Sequence, residues 1–138
     1  MRFMIAVRAS RESEAGVMPD ERLLVEMGRY HEELQKAGVL LDANGLKPSS
    51  QGWRITYAGG QRNLVDGPFT ETKELIAGYT IIRVRSREEA LEWARRFPNP
   101  ALDGGGAVIE VRPLFELEDF GHGKAVQRLR ELGTATNK

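Results

Sequence analysis

The chain has 138 residues, with 20 Lys plus Arg balanced by 20 Asp plus Glu and no Cys. That length suits one domain with one real core, and a formal charge of zero supplies no field for nucleic acid or an anionic membrane. The lack of Cys removes thiol nucleophiles, thiolate metal sites and disulfides together. The apolar run near Phe3 is too short for a signal peptide's core, and none approaches the roughly 20 residues of a membrane span, so a soluble cytoplasmic protein is expected.

In chain order, Phe3 to Val7 reads as a strand buried on at least one face, and Ser10 to Met18 as a polar loop. Pro19 suits a first helical position, Asp20 and Glu21 load the first turn with acid, and Leu23, Leu24, Met27, Tyr30, Leu34 and Ala37 recur at helical spacing until Gly38 stops the helix. Val39 to Ala43 starts a second strand. Trp53, Ile55 and Tyr57 then alternate with Arg54, Thr56 and Ala58, Gly59 and Gly60 fit a two-residue turn, and Gln61 to Val65 returns as the other half of a hairpin.

The hairpin delivers the chain to Asp66-Gly67-Pro68-Phe69-Thr70-Glu71-Thr72-Lys73-Glu74, the densest turn chemistry in the sequence. Asp, Gly and Pro in that order require a sharp bend, and Thr70 is placed to cap a short helical turn that starts with Glu71. Beyond Gly78, Tyr79 to Arg85 reads as a strand with Thr80, Ile82 and Val84 on one face. Ser86 and Glu89 make a capping box for a helix carrying Ala90, Leu91, Trp93, Ala94 and Phe97, which Pro98 and Pro100 end. Ala107 to Arg112 is a last strand closed by Pro113. Ala125, Val126, Leu129 and Leu132 leave a short C-terminal helix or a frayed tail as alternatives.

This order of elements is that of an α+β, ferredoxin-like (split βαβ) sheet with an inserted hairpin and helices on one face. Two helices cover one side of a sheet, and the strands carry apolar residues on both parities. A homodimer joined sheet to sheet is therefore expected.

The run from Asp66 to Glu74 with Ala77-Gly78-Tyr79 behind it resembles the hallmark of the DGPF-domain proteins, a branch of the YCII-related family. Tyr30 to Gly38, Ala90 to Ala94 and Glu110 to Pro113 agree with it. The resemblance covers residues 1–117 and leaves 118–138 as a C-terminal extension, a short helix or disordered. It implies a dimeric α+β barrel among small bacterial proteins mostly without an assigned reaction, often encoded beside extracytoplasmic-function sigma factors. In the wider family a His and Asp pair is proposed as catalytic, and one branch acts on chlorinated hydroxymuconate-type ring-cleavage products. Asp66 lies in the matching motif; His31 sits in a helical segment where this branch varies.

Each candidate has a structural and a chemical reading. Asp66 either caps its own turn or is a carboxylate held at a strand end as a general base. Lys73 and Glu74 are either solvated charges or, with Glu71, a Lys orienting an anionic substrate and the acids that pair with it. His31 lies at the edge of the apolar stripe, as a packed boundary residue or a catalyst. Tyr30 is either core with its hydroxyl satisfied or part of a substrate site. Glu110, with Arg83, Arg85 and Arg112, forms surface cross-strand pairs or lines a polar pocket in the dimer. Two His without Cys offer no ordinary zinc set, and Gly104-Gly105-Gly106 precedes a strand with no Lys behind it, so neither a metal nor a nucleotide cofactor is expected.

Two functions remain open at this point. The first is cofactor-independent acid/base chemistry, isomerisation or elimination, on a small anionic organic substrate. Asp66, Lys73 and His31 would be its catalytic groups, with Tyr30, Glu71, Glu74 and Glu110 about the substrate. The second is a ligand-binding or regulatory module associated with a sigma factor. Partners are then a second copy, a small molecule or a sigma factor, with no nucleic acid and no membrane.

Overall fold

Alternation along the first strand sets the architecture: Phe3 and Ile5 are buried, while Arg2, Met4 and Ala6 turn to the opposite face. This strand, β1 (Arg2–Arg8), is central in a four-stranded antiparallel sheet. In chain order the remaining strands of the molecule are β2 (Leu40–Gly45), the hairpin strands β3 (Trp53–Ala58) and β4 (Gln61–Asp66), β5 (Ile76–Arg83) and β6 (Ile109–Pro113). The sheet order is β2-β5-β1-β6, and β3 and β4 form a separate two-stranded sheet. This is the split βαβ arrangement with an inserted hairpin. The computed structural model describes residues 1–133; part of the C-terminal extension expected from the sequence, 134–138, lies outside the described residues.

Among the described residues there are four α-helices: α1 (Arg11–Glu14), α2 (Glu21–Lys36), α3 (Arg87–Arg95) and α4 (Lys124–Glu131). Tyr30 and Leu34 of α2 and Ala90 of α3 join Phe3, Ile5, Val39, Ile82 and Val84 in one apolar cluster, with Trp93 and Phe97 packed against it. Burying a side chain such as Leu34 or Ile82, both fully buried, contributes about 1.5–3 kcal/mol. Gly38 ends α2 with φ of 75°, where a side chain would be strained.

Several boundaries differ from the sequence reading. The expected loop after β1 contains α1, because Ser10 and Ser13 cap each other reciprocally through side chain and backbone. Asp20, not Pro19, opens α2: its Oδ1 accepts from the Leu23 N–H, which leaves Pro19 outside the helix. Leu24, expected on the buried stripe, is 53% exposed. Thr70 caps nothing; the 3₁₀ turn is Thr72–Glu74, preceded by Glu71 with no side-chain cap. Strand β5 starts at Ile76, earlier than expected, and runs through Gly78, where a Cβ would come within 3.0 Å of the Asn44 carbonyl oxygen. Ser86 caps α3 as expected, but Glu89 returns to the Arg85 N–H instead of that of Ser86.

Candidate functional site

Helical spacing puts Met27, Tyr30, His31 and Leu34 over the sheet, and one polar contact there crosses from helix to strand. His31 Nδ1 lies 2.7 Å from the Met27 carbonyl oxygen, which only accepts, so Nδ1 carries the proton. Nε2 lies 2.8 Å from Thr80 Oγ1 and in the neutral ring accepts from that hydroxyl. If the ring gains a proton, both nitrogens donate and the hydroxyl must present its oxygen. Thr80 is 2% exposed, between Gly78 and Ile82 on the buried face of β5 and opposite Ile5 on β1. The half-buried imidazole has Tyr30 edge-on at 5.5 Å and Phe97 at 6.4 Å between ring centroids.

Tyr30 is core, and its hydroxyl donates to the Trp93 carbonyl at 2.7 Å. Burial pushes its phenol up to about 12; Arg96 lowers it and Glu33 adds to the rise. Tyr30 therefore stays protonated at neutral pH. Tyr30 also lines an open cleft of about 430 Å³ with Glu26, Arg29, Glu33, Arg96 and Pro98, where Arg96 pairs with Glu33 and lies over Trp93. A second cleft, of about 380 Å³, lies between the end of α3 and the start of β6, with Phe97 and Ile109 in its wall.

The corner after the hairpin is held by the side chains of Glu14 and Ser49 and by backbone contacts of Gly67. Glu14 of α1 accepts from the Ser49 N–H at 2.9 Å and from its hydroxyl, and Ser49 Oγ in turn accepts from the Phe69 N–H at 3.0 Å. Gly67 donates its N–H to the Gly52 carbonyl, and a Cβ at Gly67 would fall 1.9 Å from the Ser49 carbonyl oxygen. Arg54 lies over the Phe69 ring at 3.8 Å. The motif thus clips the hairpin base onto the loop before it.

Its ionisable side chains take no part in that clip. Asp66, Glu71, Lys73 and Glu74 are all exposed. Among the described residues no hydrogen bond or ion pair joins these side chains to one another or to His31, and neither cleft includes them. The expectation that Asp66 caps its own turn through its side chain is corrected: the bend is braced by Ser49 and Glu14. Glu110 pairs with Arg8 at 3.2 Å and Arg112 at 3.9 Å, all exposed on the sheet face away from the helices. Such pairs contribute about 0–1 kcal/mol each.

Thr80 and the Glu14–Ser49 brace were not singled out from the sequence. Thr80 did carry a signal, a lone hydroxyl on a strand face otherwise made of Ile82 and Val84. Among the described residues no group of three His, Asp or Glu is placed to hold a metal ion, and no helix is long and apolar enough to cross a membrane.

Comparison with known proteins agrees with the sequence motif. The YCII-related domain model matches residues 1–117. An uncharacterised protein of Rhizobium meliloti (strain 1021) is 34% identical over 95 residues, which is 69% of this chain and 75% of that protein. Among solved structures, 5-chloro-2-hydroxyhydroquinone dehydrochlorinase from Burkholderia phenoliruptrix AC1100, in complex with 2,5-dihydroxybenzoquinone, aligns over 84% of this chain and 95% of that one, at 14% identity and a TM-score of 0.47. The uncharacterised relative offers no support for an association with a sigma factor. With its family model spanning residues 1–117, this chain belongs to the YCII-related family.

Proposed function

We propose that the protein is a homodimer that carries out cofactor-independent proton transfer on a small anionic organic substrate, with His31 as the acid/base group. The observation that carries this reading is the fixed ring of His31, with Nδ1 donating to the Met27 carbonyl and an unprotonated Nε2 that accepts from the Thr80 hydroxyl. A base needs an unprotonated nitrogen in a defined direction, and this arrangement presents one where helix meets sheet.

A substrate with an acidic C–H next to a carbonyl would displace the Thr80 hydroxyl from Nε2 and give up its proton there. The imidazolium so formed keeps its bond to the Met27 carbonyl. Nε2–H then returns the proton to another carbon, which is isomerisation, or to a departing group, which is elimination. Tyr30 and Phe97 stand edge-on to the ring and fix its plane. Asp66, Lys73, Glu71, Glu74 and Glu110 take no part in these steps within one chain. The homodimer is supported by the sheet face away from the helices, where Met4, Ala6, Tyr79 and Ile81 are only half-buried.

The test is hydrogen–deuterium exchange at acidic C–H positions, followed by NMR over a panel of enolisable carboxylates and lactones. Wild-type protein is expected to accelerate exchange in at least one compound, and His31→Gln to slow it about 100-fold or more. Full activity in a folded His31→Gln variant would remove His31 from the chemistry.

A further inference from the structure

The hairpin stands away from the rest of the molecule. Every residue of β3 and β4 is exposed, and among the described residues no other strand or helix makes a substantial contact with either. A two-stranded hairpin on its own is marginal in water. This one nevertheless displays a large apolar face: Trp53 is 62% exposed, Ile55 45%, Tyr57 70% and Leu64 61%.

That face has an internal symmetry. Residues directly opposite in an antiparallel pair share a side, and the register pairs Trp53 with Asp66, Ile55 with Leu64 and Tyr57 with Arg62. Along one strand the order is aromatic, Ile, aromatic; along the other it is acid, Leu, base. Arg62 is held to this side by Tyr57, its guanidinium 5.1 Å from the ring centroid. The Asp66 side chain has no partner among the described residues.

We propose that two copies of the chain stack these faces antiparallel, about a two-fold axis passing Ile55 and Leu64, so that Asp66 of each meets Arg62 of the partner subunit. Rotation about such an axis lays Trp53 over Tyr57 of the partner subunit and brings opposite charges together at both ends of the stack. An isologous contact requires this reciprocity. A stack about an axis parallel to the strands would instead lay Asp66 on the partner's Trp53 and Arg62 on the partner's Tyr57, and would pair no opposite charges. Each arm offers roughly 400–500 Å² of exposed apolar surface. Two arms give roughly 900 Å², short of the 1,200–2,000 Å² of a standard interface, so the arms add to a contact made also through the open sheet face. The inference rests on the homodimer proposed above and not on the chemistry of His31.

Charge reversal tests the geometry. By sedimentation equilibrium, Asp66→Arg and Arg62→Asp are each expected to weaken the dimer at least tenfold. The double reversal D66R/R62D is expected to restore it to within about threefold. Single reversals that leave dimerisation unchanged, or a double reversal that restores nothing, overturn the stacking while leaving the homodimer in place. A monomeric wild-type chain overturns both. Should a reversal fail to fold by circular dichroism, cysteine cross-linking decides, because the native chain has no Cys. Ile55→Cys, next to the axis, is expected to cross-link to itself with a short bismaleimide, and Thr56→Cys, on the other side of the ribbon, is not. Equal cross-linking of the two overturns the proposal.

Discussion

The corner from Asp66 to Glu74 and the seam at His31 and Thr80 hold polar groups in opposite ways. At the corner the ionisable side chains are exposed, and the rigid parts are backbone and the small groups Gly67, Ser49 and the Phe69 N–H. In the seam the backbone is ordinary helix and strand, and a titratable ring and a buried hydroxyl satisfy each other. A dense run of charge in a sequence therefore marks a bend that water can reach, whereas a single hydroxyl or imidazole on an apolar face marks a group the fold has desolvated and aimed.

The largest effect is expected where the corner is tightest. Gly67→Ala drives a Cβ against the Ser49 carbonyl oxygen, which the backbone relieves only by moving, and the loss is expected to be about 3 kcal/mol or more in denaturant unfolding. A cost below about 0.5 kcal/mol would mean the corner is not braced by backbone.

Next comes pH. The Tyr30 phenol is raised from 10.0 to about 12 in the folded chain, so above pH 10 the unfolded chain loses a proton that the folded one keeps. Stability from this group is complete below pH 10 and is lost as pH rises toward 12, on the order of 2–3 kcal/mol in all. Tyr30→Phe should flatten that part of the stability profile, read from thermal melts across the range.

Thr80→Val keeps the shape and removes the hydroxyl, leaving His31 Nε2 facing an apolar wall. A cost of about 1–2 kcal/mol is expected, a clear loss beside the smallest change in the set. That smallest change is Lys73→Met at the exposed corner, expected within about 0.5 kcal/mol of wild type. If the last two exchanged places, the division between seam and corner would be wrong.

Much of the fold was legible because local signals agreed with tertiary packing. The hairpin turn at Gly59 and Gly60, both with positive φ, follows from residue type alone, as do the stop at Gly38 and the Ser86 cap. The misplaced features were those decided by competition. Ser10 and Ser13 turned a polar loop into α1 by capping each other, and Asp20 took the cap that left Pro19 outside α2. Of the candidate site, Tyr30 was visible on the apolar stripe and His31 at its edge. Their partners were not, since the Trp93 carbonyl and Thr80 lie 63 and 49 residues away in sequence. The Glu14–Ser49 brace spans 35 residues and leaves no periodic trace.

Nitrogen-15 NMR of the histidine rings tests the seam most directly. His31 and His122 are the two His in the chain, so His122→Gln leaves one signal to read. The neutral His31 ring is expected to be the Nδ1–H tautomer, with an unprotonated, hydrogen-bonded Nε2 that changes in Thr80→Val. A ring that is predominantly Nε2–H, or a tautomer mixture indifferent to Thr80→Val, would contradict it.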